Sequence, residues 1–158
     1  MNKDDNLSRN ITKKKSHPFW KYFWLSFLVL SLAYAWYSFY APSNEIKWEN
    51  SISSIEEITN STNKNTLLFF TGKWCSPCRI MKREVFADQE VEKIVNSKVT
   101  PIIIDIDNPN TKEIVKKYKV GATPTTIIVD SYGEVLDYAV GKIDKKKFLE
   151  MINSSEIK

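Results

Sequence analysis

Two sulfurs carry the most distinctive chemistry open to this sequence. Cys75 and Cys78, inside "GKWCSPCR" (72–79), are the only cysteines among its 158 residues. Two thiols at that spacing can form a redox couple, supply half of a metal site, or close a small structural disulfide. A structural zinc site takes about four ligands. Beyond the two cysteines the chain offers a single histidine, His17, which a membrane span over residues 22–41 would place on the other side of a bilayer. An iron–sulfur cluster fails within one chain for the same reason. A static staple is a weak use of the pair. A loop over two residues constrains the unfolded chain far less than the roughly 3 kcal/mol expected of a 15-residue loop. Redox exchange is the chemistry that the spacing favours.

The elements around the pair support it. "TLLFFT" (66–71) is a short continuous apolar run, read as a buried strand. Pro77 then falls in the first turn of the next segment, where a missing N–H costs nothing. Cys75 therefore sits where a strand gives way to a helix. Unpaired N–H groups and the macrodipole there favour the thiolate. Cys78 follows one turn later, placed to attack a mixed disulfide. Lys73 and Arg79 add positive charge, and Trp74 supplies an apolar wall for a peptide groove.

Beyond the site, helical spacing runs through Ile80, Met81 and Val85, and again from Asp88 through Val91, Ile94 and Val95. "VTPIIIDI" (99–106) reads as a second buried strand, and Thr111 to Tyr118 as a helix presenting Ile114, Val115 and Tyr118. "TTIIV" (125–129) and "EVLDYAV" (134–140), joined through Gly133, predict an antiparallel hairpin. Asp144 caps a last helix carrying Phe148, Leu149 and Ile152. The order β-α-β-α-β-β-α predicts an α/β fold, a central mixed sheet of about four strands flanked by helices.

Charge and hydropathy divide the chain. Residues 1–21 hold six basic and two acidic side chains, the whole of the net charge of +4. The remainder is neutral, which gives no electrostatic case for nucleic-acid binding. Residues 22–41, "YFWLSFLVLSLAYAWYSFYA", carry no charge. At about 1.5 Å per residue they span a hydrocarbon core of roughly 30 Å. Trp20, Tyr22 and Trp24 at one end, and Trp36, Tyr37 and Tyr40 at the other, suit two interfaces. "AYA" at 33–35 resembles a signal-peptide cleavage site. The second aromatic belt and the apolar run past Ala35 favour a retained signal-anchor. The basic arm (1–21) is then cytoplasmic, and the chain beyond the span lies in an extracytoplasmic compartment where disulfides persist. Residues 42–52 read as a tether, with the fold beginning near Ser53 at a capping box of Ser54 and Glu57 and a short helix carrying Ile55 and Ile58. A tail occupies 154–158. The Asn-x-Ser/Thr triplets at Asn10, Asn60 and Asn153 matter only in a eukaryotic secretory setting.

"FFTGKWCSPCRIMKREVF" and, beginning 43 residues after Cys78, "GATPTTIIV" together resemble a thioredoxin-fold protein of the Trp-Cys-x-x-Cys type over about residues 53–153. In style, "WCSPCRIMKREVFADQEVEKIV" is similar to the extracytoplasmic thioredoxin-like domain of the thiol:disulfide interchange protein DsbD. A membrane-tethered thioredoxin serving cytochrome c maturation is a similar fit. The resemblance implies that Pro124 is cis and faces the cysteines. It also implies that the Thr123 backbone pairs with an extended substrate and that Gly141 borders the groove. One departure stands out. Thioredoxins usually hold a buried acid where this chain has Phe69, and often a lysine where it has Ile103. Losing both leaves neither unpaired, and leaves open what deprotonates Cys78. Asp105 or a water is one substitute, but Asp105 reads first as an exposed strand end.

The expectation is a membrane-anchored thiol:disulfide oxidoreductase acting on exported proteins, with Cys75 as nucleophile and Cys78 as resolving thiol. Trp74, Thr123, Pro124 and Gly141 form the substrate platform, supported by Lys73, Ser76 and Pro77. No metal or organic cofactor is expected beyond the redox-active Cys75–Cys78 disulfide. The partners are cysteine-containing exported proteins and a membrane electron donor or acceptor. The Ser-Pro pair between the cysteines resembles reducing thioredoxins, so reduction comes first and oxidation or isomerisation second. A non-catalytic thioredoxin-fold binding module is the alternative from another class.

Overall fold

A computed structural model describes residues 18–40, 42–49 and 64–155. The chain divides into one unit ending at Phe39 and another beginning at Tyr40. In the first, helix α1 (Pro18–Phe39) exposes apolar and aromatic side chains all round. Within it, Phe19–Phe39 has a mean hydropathy of 1.3 and is long and apolar enough to cross a membrane. The helix starts and ends earlier than the uncharged stretch 22–41. Its start follows backbone geometry, with Pro18 in the first turn, so Lys21 falls inside it; absence of charge marks a polarity boundary, not a helix boundary.

The second unit is built on a four-stranded sheet of order β2-β1-β3-β4. The strands are β1 (Thr66–Thr71), β2 (Thr100–Asp105), β3 (Thr125–Val129) and β4 (Val135–Val140). β1 pairs parallel with β2 and antiparallel with β3, and β3 pairs antiparallel with β4. The continuous apolar run in β1 has a direct cause: both its faces are covered. Leu67 and Phe69 enter one core with Cys78, Met81, Phe86, Val91 and Phe148. Leu68 and Phe70 enter the other with Ile102, Ile104, Ile114 and Ile127.

The helices are α2 (Ser76–Met81), α3 (Gln89–Lys98), α4 (Lys112–Lys117) and α5 (Lys145–Ser155), with a π-helical turn (Lys82–Phe86) extending α2 and a 3₁₀ turn (Pro109–Thr111) preceding α4. Asp88 caps α3, its carboxylate accepting from the Glu90 and Val91 amides. Asp144 caps α5 by accepting from the Lys147 amide at 2.8 Å. The element order matches the expectation from sequence.

Packing against the cores extends beyond residues 53–153 at both ends. Residues 42–52 were expected as a tether, yet Ile46 is buried and Trp48 packs on the first core. Trp48 lies edge-on to Phe86 at 5.2 Å between ring centroids. Glu49 bridges Ile102 in parallel, its amide donating to the Pro101 carbonyl at 2.9 Å. Asn96 of α3 grips the same segment, accepting from the Lys47 amide and donating to the Glu45 carbonyl. Burial of two large apolar side chains explains the docking; the signal in "IKW" was an apolar alternation inside a polar stretch. At the other end α5 runs to Ser155, which is buried, so the helix takes in the first residues of the expected tail. The capping box at Ser54 and Glu57, the helix with Ile55 and Ile58, and Asn10 and Asn60 lie outside the described residues. Asn153 lies in α5 and accepts from the Lys98 ammonium.

Candidate active site

Cys75 and Cys78 are joined as a disulfide with their Cα atoms 5.2 Å apart. Cys75 caps α2: its backbone is extended and its Sγ accepts from the Cys78 amide at 3.2 Å. That contact aims a backbone N–H of the first turn of α2 at the Cys75 sulfur. Pro77 lies in the first turn of α2, as expected, and Ser76 Oγ accepts from the Arg79 guanidinium at 2.9 Å. The two sulfurs differ in access. Cys75 keeps 9% of its surface and Cys78 only 1%, so an incoming disulfide reaches Cys75 first. Trp74 beside it is 88% exposed.

The turn before Cys75 is held from outside. The Cys75 amide donates to the Gly72 carbonyl at 3.2 Å. The Lys73 amide donates to Asp107 Oδ2 at 2.9 Å, and the Asp107 amide to Asp105 Oδ1 at 2.9 Å. Asp107 was not anticipated; it lies 34 residues from Lys73 in sequence, and only the loop after β2 brings it there. Asp105, expected at an exposed strand end, is half-buried and holds that loop. Lys82 is half-buried on the turn after α2; burial lowers its pKa, and the charge of Asp105 opposes that shift.

Thr123, Pro124 and Gly141 lie at the end of the sheet where β1 runs into the cysteine turn. The Thr123–Pro124 peptide is cis. Thr125 pairs with Phe70 near the end of β1 that leads into the cysteine turn, so Pro124 lies toward that turn. Gly141, at φ +89°, donates its amide to the Pro124 carbonyl at 2.7 Å. Phe69 and Ile103 are Cα partners across β1 and β2. Phe69 is fully buried, its ring edge-on to Phe86 at 4.7 Å, so an aromatic cluster fills the level where related folds carry an acid.

Residues 53–156 match the family model described as a thioredoxin-like domain. A thioredoxin from Rickettsia bellii is 34% identical over 103 residues, 65% of this chain and 91% of that protein. The thiol:disulfide interchange protein DsbD of Photorhabdus laumondii is 28% identical over 105 residues, 64% of this chain but only 18% of that much longer protein. The solution structure of a thioredoxin from Thermus thermophilus superposes with a TM-score of 0.62 at 19% identity, covering 72% of this chain and 88% of that one. This last likeness bears on the fold alone.

Proposed function

The chain belongs to the thioredoxin-like domain family and is a thiol:disulfide oxidoreductase, and on that premise we propose that it is a membrane-anchored reductase of exported proteins. The observation that carries the chemistry is the asymmetric disulfide: Cys75 at the mouth of the site and capping α2, Cys78 enclosed behind it. In the reduced enzyme the Cys75 thiolate attacks a substrate disulfide. One substrate sulfur leaves as a thiolate and a mixed disulfide forms. Cys78 then loses its proton and attacks Cys75 Sγ, expelling the second substrate sulfur and closing the Cys75–Cys78 disulfide. Two electrons pass to the substrate, and the proton released by Cys78 ends on a departing substrate sulfur. A dithiol donor at the membrane restores the reduced pair. No metal or organic cofactor enters the cycle.

The anchoring reading rests on α1 and on the basic excess in residues 1–21, which the positive-inside rule assigns to the cytoplasm. Trp74, Thr123, Pro124 and Gly141 are the platform for an extended substrate segment, with Lys73, Ser76 and Pro77 shaping the turn. The direction of transfer is tested by the equilibrium reduction potential against glutathione. A value near −270 mV is expected, and one near −120 mV rejects the reductase. Topology is tested in intact cells with a membrane-impermeant maleimide after mild reduction. Labelling of Cys75 without permeabilisation is expected, and labelling only after permeabilisation rejects the extracytoplasmic site.

A further inference from the structure

We propose that the hydroxyl of Thr126 is the interior hydrogen-bond partner of Cys78 in the reduced enzyme, doing at this site part of what a buried acid does elsewhere; the proposal rests on the oxidoreductase reading. Thr126 lies on β3, two residues beyond Pro124. Its neighbours in register are Phe69 on β1 and Ala139 on β4, and Phe69 in turn faces Ile103 on β2. One transverse row of the sheet therefore reads Ile103, Phe69, Thr126, Ala139. Phe69, Ile103 and Ala139 all contribute to the core that holds Cys75, Cys78 and Met81. Thr126 shares its side of β3 with Ile128 of that same core.

The row is apolar except for Thr126. That side chain is fully enclosed, and its Oγ1 has no hydrogen-bond partner among the described residues. An enclosed hydroxyl without a partner costs stability, and such groups are uncommon enough that each calls for a reason, a redox role among them. Thr66 Oγ1 shares the condition, but it begins β1, at the end of the strand away from the cysteine turn and on its other face.

Redox chemistry supplies the change of state. In the disulfide, Cys78 Sγ is bonded to Cys75 Sγ and is a poor acceptor. Reduction adds two electrons and two protons, frees the Cys78 side chain about χ1 and leaves a thiol. That thiol can donate to Oγ1, and its thiolate can accept from the Oγ1 hydrogen. The hydroxyl is thus unsatisfied in the oxidised form and satisfied in the reduced one. By linkage it favours the reduced form and makes the pair more oxidising than an apolar residue would. It also stabilises the Cys78 thiolate that must resolve the mixed disulfide.

The test compares Thr126→Val, which keeps the shape and removes the hydroxyl, with Thr126→Ser, which keeps the hydroxyl. Both are made in the full-length protein in detergent. For Thr126→Val, the equilibrium with glutathione is expected to shift about tenfold toward the disulfide, about 30 mV more negative. Resolution of a mixed disulfide trapped on Cys75 should slow about tenfold, while Cys75 alkylation at the same pH stays at the wild-type rate. Thr126→Ser should restore both values. A merely structural hydroxyl would change the melting temperatures of the oxidised and reduced forms equally and leave the potential in place. A wild-type potential and resolution rate in Thr126→Val overturns the proposal, as does a serine variant that behaves like the valine one. Wild-type protein without any disulfide exchange would instead overturn the oxidoreductase reading itself, so the two failures are distinct.

Discussion

Phe69 and Ile103 face each other across β1 and β2 as Cα partners, both packed into the core that encloses Cys78. An acid at the first position would face Ile103 and not a base, and apart from the Thr126 hydroxyl on its other flank it would be ringed by apolar side chains. Phe69→Asp is therefore expected to unfold the domain at neutral pH, since an unpaired buried charge costs several kcal/mol. Phe69→Leu leaves a smaller void in the aromatic cluster and is expected to cost about 1–2 kcal/mol. Urea titrations of the two variants check both. An aspartate variant of wild-type stability would mean that the site already holds a hidden counter-charge.

Trp48 tests the docking of the segment that follows α1. It is part-buried against Phe69 and Phe86, and its indole N–H donates to Asn44 at 3.0 Å. Trp48→Ala is expected to destabilise the domain by about 2–4 kcal/mol, below the upper range for a fully enclosed aromatic. The denaturant midpoint should fall while the potential of the cysteine pair stays close to wild type. Unchanged stability would mean that residues 42–49 are a loose tether after all.

Gly141 ties the end of β4 to Pro124 by donating to its carbonyl, at a φ of +89° that side chains rarely adopt. A Cβ there meets open space, so the cost of Gly141→Ala is backbone strain, roughly 1–3 kcal/mol. Relief of that strain shifts the Pro124 carbonyl. The expected signature is a raised KM for a protein disulfide with little change in Cys75 alkylation rate. A variant with wild-type KM and stability would remove Gly141 from the platform.

Asp88 links α3 to α5 through Lys145, with Oδ1 and Nζ 2.8 Å apart. The hydrogen bond from Lys145 holds the Asp88 carboxyl below its ordinary value of 3.8, against a smaller effect of burial. The bonds to Asp88 and then Glu90 raise Lys145 above 10.5. A lowered carboxyl stabilises the fold above pH 3.8, and that contribution is lost as pH falls through the folded value. A raised ammonium stabilises it below pH 10.5, and its share is lost as pH rises through the folded value. Asp88→Asn keeps a capping oxygen and removes the charge. Its stability should fall less steeply than that of the wild type below about pH 4. Parallel acid limbs would show that the pair contributes nothing.

Local pattern was enough to locate the cysteine pair at a strand-to-helix step, the succession of strands and helices along the chain and the long apolar helix, because each depends on neighbours a few residues away. Cys75 at the head of α2 follows from "FFTGKWCSPC" alone. The surroundings of that pair do not. Lys73 meets Asp107 across 34 residues, and Trp48 meets Phe86 from a stretch whose composition reads as linker. Phe69, Ile103 and Thr126 share one row only because the registers of two strand pairings align them. A shift of one residue in either pairing would turn every side chain of that strand to the other face. Sequence therefore specified the pair of sulfurs; strand register and the docking of distant segments decided that an aromatic cluster and the enclosed Thr126 hydroxyl share one row of the sheet on the side of the core that holds them.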